Sequence, residues 1–171
     1  MPECEWKLRF PRELLGELAR RYHDSNEPAA LEVSVQVKKQ GYLDRSQFLT
    51  LCQWKSPRLV HHAQENTDEE IMEITSLALS SSSERIRIGS LRILQGVDWP
   101  MASVLLHFCH TAPYPILDFR ALWSLGFTKI PAHSFSVWCR YVDTCRKLSD
   151  QNKIDMRALD RALWQYSKEN G

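Results

Sequence analysis

Three features of this 171-residue chain predict an all-α fold. Apolar residues recur at helical spacing in nearly every segment. Ser, Thr or Asp stands just ahead of several of those segments, in the position of an N-cap. The one stretch with alternating character, residues 29–40, has no second strand to pair with.

The elements follow in order. A first helix is expected from about Pro11, a good first-turn residue, to about His23. Asp24-Ser25-Asn26-Glu27-Pro28 is read as its break. In residues 29–40, Leu31, Val33, Val35 and Val37 alternate as in an edge strand, while Ala30, Val33 and Val37 also fit one helical face. Helix is preferred, with Gly41 as the stop. Asp44 caps a helix over 45–54 that Pro57 ends. Thr67-Asp68-Glu69-Glu70 is a capping box opening a helix to about Leu79. Ser83 caps the helix over 84–94. Helices over 100–109, 118–125, 134–148 and 156–168 complete the set, the last capped by Asp155. In that last helix Leu159, Leu163 and Tyr166 share one face, with Arg157, Asp160 and Arg161 toward the other. It is expected to dock back on the N-terminal lobe.

The length fits a single compact domain over 1–171, large enough for a proper core. Hydrophobic residues make up 43% and charged residues 25%, as in ordinary globular proteins. Six Trp suggest thick helix–helix packing. The formal net charge is only +1, so any contact with nucleic acid must use a local patch. No stretch is apolar enough to cross a bilayer, which predicts no membrane partner. Five cysteines (Cys4, Cys52, Cys109, Cys139, Cys145) are odd in number and scattered, with no leader ahead of them. A reduced, cytoplasmic setting is the expectation.

Residues 84–110 read as helix, tight hairpin, helix, with Gly96-Val97 and Trp99-Pro100 at the turn and Asp118 further on. A hairpin of this kind presents backbone N–H groups at a helix start, which suits a nucleic-acid phosphate. Leu94-Gln95-Gly96-Val97-Asp98-Trp99-Pro100-Met101-Ala102 resembles the hairpin of the helix–hairpin–helix DNA glycosylase superfamily. Tyr114-Pro115-Ile116-Leu117-Asp118 resembles the run that carries that superfamily's catalytic Asp, 18 residues beyond Pro100. Phe48-Leu49-Thr50-Leu51-Cys52-Gln53 is similar to the helix whose terminal Gln enters the DNA stack in these enzymes.

The resemblance implies a two-lobed, multi-helical glycosylase-like fold in shortened form, with DNA as partner. It implies that Gly96 closes the turn, Val97 pins its tip, Ala102 lets the helices approach, and N–H groups near 99–102 face a phosphate. Asp118 would stabilise an oxocarbenium-like sugar beside a flipped base or orient a water. The superfamily's lyases carry lysine at the position of Pro100, so the implied reaction is monofunctional hydrolysis of an N-glycosidic bond. The second glycine of the pattern is Asp98, whose carboxylate would cap the next helix and repel a phosphate. The four-cysteine iron–sulfur loop of some relatives is missing, and no cofactor is expected.

Each candidate also has a structural role open to it. Asp118 fits the N-cap of Phe119–Trp123, a role compatible with catalysis. Gly96-Val97-Asp98 fits a plain αα-turn. Trp54, Lys55 and Arg58 fit either a base-stacking, phosphate-holding group or a buried Trp flanked by solvated charges. Arg85, Arg87 and Arg92 fit a phosphate stripe or an ordinary surface, and the acidic run Glu65–Glu73 fits a solvated helix start. His107, Cys109 and His110 lack the further ligand and spacing of a zinc site, His61-His62 lies elsewhere, and no thiol has an evident activating partner. Two functions follow: a DNA glycosylase-like enzyme using Asp118, or a non-catalytic helix–hairpin–helix scaffold for nucleic-acid or protein interaction.

Overall fold

A computed structural model describes residues 6–171; Cys4 lies outside them. All the regular secondary structure of the described residues is helical, with no strand. There are α1 (Leu15–Arg21), α2 (Glu27–Gln40), α3 (Arg45–Lys55), α4 (Val60–Ala63), α5 (Asp68–Ser80), α6 (Glu84–Leu91), α7 (Trp99–Cys109), α8 (Phe119–Ser124), α9 (Phe135–Asn152) and α10 (Met156–Asn170). Short 3₁₀ turns precede α1 (Arg12–Leu14) and α4 (Pro57–Leu59). No described helix is long and apolar enough to cross a membrane.

Local chemistry sets these boundaries. Asp44 and Gln47 close a reciprocal capping box on α3, and Thr67 and Glu70 do the same on α5. Side chains of Ser83, Asp98, Asp118, Ser134 and Asp155 each accept a backbone N–H in the first turn of the helix that follows. Residues 29–40 are helical, and Gly41 ends α2 in the left-handed region at φ +82°.

Four expectations change. Pro28 does not break the chain but lies in the first turn of α2, where a missing N–H has no helical acceptor to lose. Helix α6 ends at Leu91 rather than at 94, because Ile93 and Leu94 donate to carbonyls three residues back and tighten the chain into a turn. Helix α9 runs on to Asn152 and stops where Lys153 turns left-handed at φ +51°. On α10, Asp160 is not solvated: it is only 8% exposed and ion-paired with Arg157, which also donates to the Tyr22 hydroxyl. Close packing of α1 on α10 encloses that pair.

The chain divides into two compact units. One holds Asp24–Ala112. In it α2, α3 and α7 pack around Phe48, Leu51, Val104, Leu105 and Phe108, and α5 packs on α6. The other holds the described residues up to His23 together with Pro113–Gly171. There α10 packs on α1, α8 and α9, burying Leu18, Leu122, Tyr141, Leu159 and Leu163. Full burial of each such side chain stabilises by about 1.5–3 kcal/mol.

Candidate functional site

The turn joining α6 to α7 is tightly constrained. Gly96 is left-handed at φ +78°, and a Cβ there would meet the Ala63 backbone nitrogen at 2.9 Å. Only glycine fits both the conformation and the close approach. Val97 is buried beside it, and Leu94, Met101 and Ala102 are buried on either flank. The loop before α5 locks the turn. The Asn66 side chain accepts from Gln95 N (2.8 Å) and donates to Gln95 O (3.0 Å) and Ala63 O (2.9 Å). Arg45 fixes that loop in turn, donating to the Asn66 and Gln64 carbonyls at 2.6 Å each. Sequence reasoning missed Asn66 entirely; an Asn ahead of a Thr cap looks like any loop residue.

Asp98 is exposed and caps α7, its Oδ1 accepting from Met101 N at 3.3 Å. The Ala102 N–H donates to the Asp98 carbonyl, and Pro100 has no N–H. The N–H groups expected near 99–102 are therefore mostly engaged, which leaves that of Trp99. The indole of Trp99 carries the Arg92 guanidinium, 4.1 Å from its centroid.

The α3 terminus supplies what the sequence could not place. A cavity of about 140 Å³ is lined by Cys52, Lys55 and Ser56 on one side and by Gly96, Asp98 and Pro100 on the other. Burial pushes the Cys52 thiol up to about 12, so that part of the lining stays neutral. Lys55 and Asp98 are its charged residues. Gln53 and Trp54 face elsewhere, lining a separate groove of about 770 Å³ with Asn26, Leu49, Pro57 and Gln64. Trp54 is also anchored, donating from Nε1 to Asp24 (2.8 Å) and meeting Phe108 edge-on. Arg58, exposed on the 3₁₀ turn, lines neither space.

The arginine stripe does not form. Arg87 is drawn in by Glu84 at 2.7 Å and by the Ser81 carbonyl, Arg92 lies on Trp99, and Arg85 is exposed. The acidic residues of 65–73 are exposed around the start of α5, as a solvated, dipole-favoured helix start requires.

Asp118 belongs to the other unit, at the end of an extended run that is firmly held. Tyr114, Ile116 and Leu117 are buried. The Tyr141 hydroxyl donates to the Ile116 carbonyl (2.6 Å), and Arg146 donates to that of Pro113 (2.8 Å). Tyr114 stacks parallel on Trp138. Asp118 is half-buried and caps α8, accepting from Arg120 N at 2.8 Å. Burial above all, then the neighbouring Cys145 and Asp160 and, less, Asp118, push the Tyr141 hydroxyl well above its ordinary value, so that group stays a donor. Phe119, directly after the carboxylate, is 59% exposed.

Among the described residues no group of three or more His, Cys, Asp or Glu side chains converges to hold a metal ion. His107 packs edge-on against Phe108, and His110 accepts from Ala112 N. Cys52, Cys109 and Cys145 are buried free thiols, and Cys139 is partly exposed. No family model, curated protein or solved structure matches the chain.

Proposed function

We propose that this chain is a DNA-binding protein of the base-excision-repair type, with a helix–hairpin–helix glycosylase-like architecture. On this reading the turn at 92–98, with Lys55 beside it, holds a backbone phosphate. Asp118 serves the hydrolysis of an N-glycosidic bond. The supporting observation is the combination at the turn: Gly96 left-handed and seated on Ala63, Val97 buried, and Lys55 lining the same small cavity. The Lys55 ammonium supplies attraction that Asp98 opposes, and the Trp99 N–H adds a directed donor.

Asp118 suits its role because the run before it is held by Tyr141 and Arg146, so the carboxylate needs little reorganisation. As the C1′–N bond breaks, the electron pair leaves with the base and positive charge develops on the sugar. A carboxylate stabilises that charge while water adds its oxygen to C1′, and the proton that water loses neutralises the departed base. Pro100 offers no amine for a Schiff base, so release proceeds without strand cleavage.

A second reading, a non-catalytic scaffold for nucleic-acid or protein interaction, is favoured by the capping roles of Asp98 and Asp118 and by the engaged N–H groups of Met101 and Ala102. The phosphate assignment is tested by the salt dependence of duplex binding to wild type and Lys55→Gln. Loss of one phosphate contact lowers the slope of log K against log salt by about one unit. An unchanged slope would remove the phosphate from this turn.

A further inference from the structure

The unit containing Asp118 holds a second feature that the proposed function does not use. The chain around Trp6, the α8–α9 loop and the first turns of α9 line an open pocket of about 720 Å³. That is within the range of small-molecule sites, roughly 300–1,000 Å³. Its apolar walls include Trp6, Phe127, Ile130 and Val137; its charged lining residues are Lys129 and Arg140, and no acidic residue among the described ones lines it. Arg140 is exposed, lies 4.9 Å from the Trp6 ring centroid, and forms no ion pair among the described residues. The first turn of α9 carries no acidic side chain, so the positive end of that helix adds to the same field.

Trp6 itself is held at a cost. Its φ of +67° is left-handed, a region that bulky L-residues rarely adopt. Its indole Nε1 is buried with no acceptor among the described residues. Phe127 fixes the ring edge-on at 4.8 Å. A strained backbone and an unsatisfied donor at one residue are each unfavourable, and such features concentrate where a residue has work besides packing.

We propose that this pocket binds an amphiphilic carboxylate, a small molecule with an apolar, preferably aromatic, body and one acid group. The body lies against Trp6, Phe127, Ile130 and Val137. Arg140, stacked on Trp6 and therefore preoriented, takes the carboxylate, with Lys129 as the second cation. The two cations of the lining select the charge of the ligand, and the apolar walls select its body.

The experiment is calorimetric titration of the full chain with 2-naphthoate and with the uncharged 2-naphthol. The expected result is that naphthoate binds at least about tenfold more tightly, as a charge-assisted contact provides. Arg140→Gln abolishes that preference, and Val137→Trp, which fills the pocket, weakens both ligands. Circular dichroism establishes that both variants are folded; should Val137→Trp not fold, Ile130→Trp replaces it. Equal affinity for the two ligands, binding of neither, or naphthoate binding indifferent to Arg140→Gln overturns the proposal. So does Arg140-dependent binding of an acidic, aromatic-containing peptide where the free acid does not bind.

Discussion

Gly41 and Gly96 have nearly the same left-handed backbone, φ +82° and +78°, in the same structural unit, but a Cβ meets very different surroundings at each. At Gly41 nothing lies within 4 Å; at Gly96 the Ala63 backbone nitrogen lies at 2.9 Å and its Cα at 3.3 Å. Alanine at Gly41 therefore bears only the left-handed penalty of about 1–2 kcal/mol, reduced by a smaller unfolded-state entropy. Alanine at Gly96 bears the same penalty plus overpacking against backbone, about 1–3 kcal/mol more. For a chain of this size each kcal/mol lowers the melting temperature by about 2–4 °C. Gly41→Ala should lose a few degrees, and Gly96→Ala roughly two to three times as much on the same scale. Thermal melts followed by circular dichroism measure both. Equal losses would mean that the turn does not rest on Ala63, and the geometry assigned to it would be wrong.

Other predictions concern the same turn and the core beneath it. Asn66→Ala leaves the Gln95 N–H and C=O without their partner and should cost about 2–4 kcal/mol in urea denaturation; a loss below 1 kcal/mol would refute the clamp. Asp98→Asn keeps the cap and removes one charge, worth about threefold in duplex affinity at low salt. Asp98→Gly also frees the Met101 N–H, so it should bind more tightly still and with a steeper salt dependence. Fluorescence anisotropy in a salt series distinguishes the three proteins, and identical curves would exclude the turn from the DNA contact. Burial holds the Cys52 and Cys109 thiols protonated up to about 12, whereas in the unfolded chain they ionise near the ordinary value of 9. The unfolded state therefore binds fewer protons above that value. Stability contributed by these groups is complete below pH 9 and declines as pH rises toward 12, which alkaline denaturation curves of Cys52→Ala and Cys109→Ala should show as a reduced pH slope.

The helices were readable from sequence because their signals are local. Asp44 and Thr67, with their partners Gln47 and Glu70, and the single caps Ser83, Asp98, Asp118 and Asp155 each act within one helical turn. The closed turn at Gly96 and the buried tip at Val97 came from the resemblance of the hairpin rather than from local pattern, and Gly96 is left-handed and Val97 buried. What sequence could not supply was tertiary partnership. Asn66 meets Gln95 across 29 residues, and Lys55 reaches the turn only because α3 packs on α7. Arg87 and Asp160 look like surface charges by spacing, yet Glu84 with the Ser81 carbonyl draws in one and Arg157 the other. Trp54 had two readings of equal pattern, and its bond to Asp24 selects the anchored one.

The proposal that Asp118 performs chemistry has its most direct test in base release from a panel of lesion-bearing duplexes by wild type and Asp118→Asn. Asparagine is as good an N-cap as aspartate, so α8 and the fold should persist and only the charge is lost. The account predicts release of a base by wild type without strand cleavage, none by Asp118→Asn, and DNA affinity equal or higher in the variant. Release that continues unchanged in Asp118→Asn, or no release by wild type from any lesion in the panel, would contradict it.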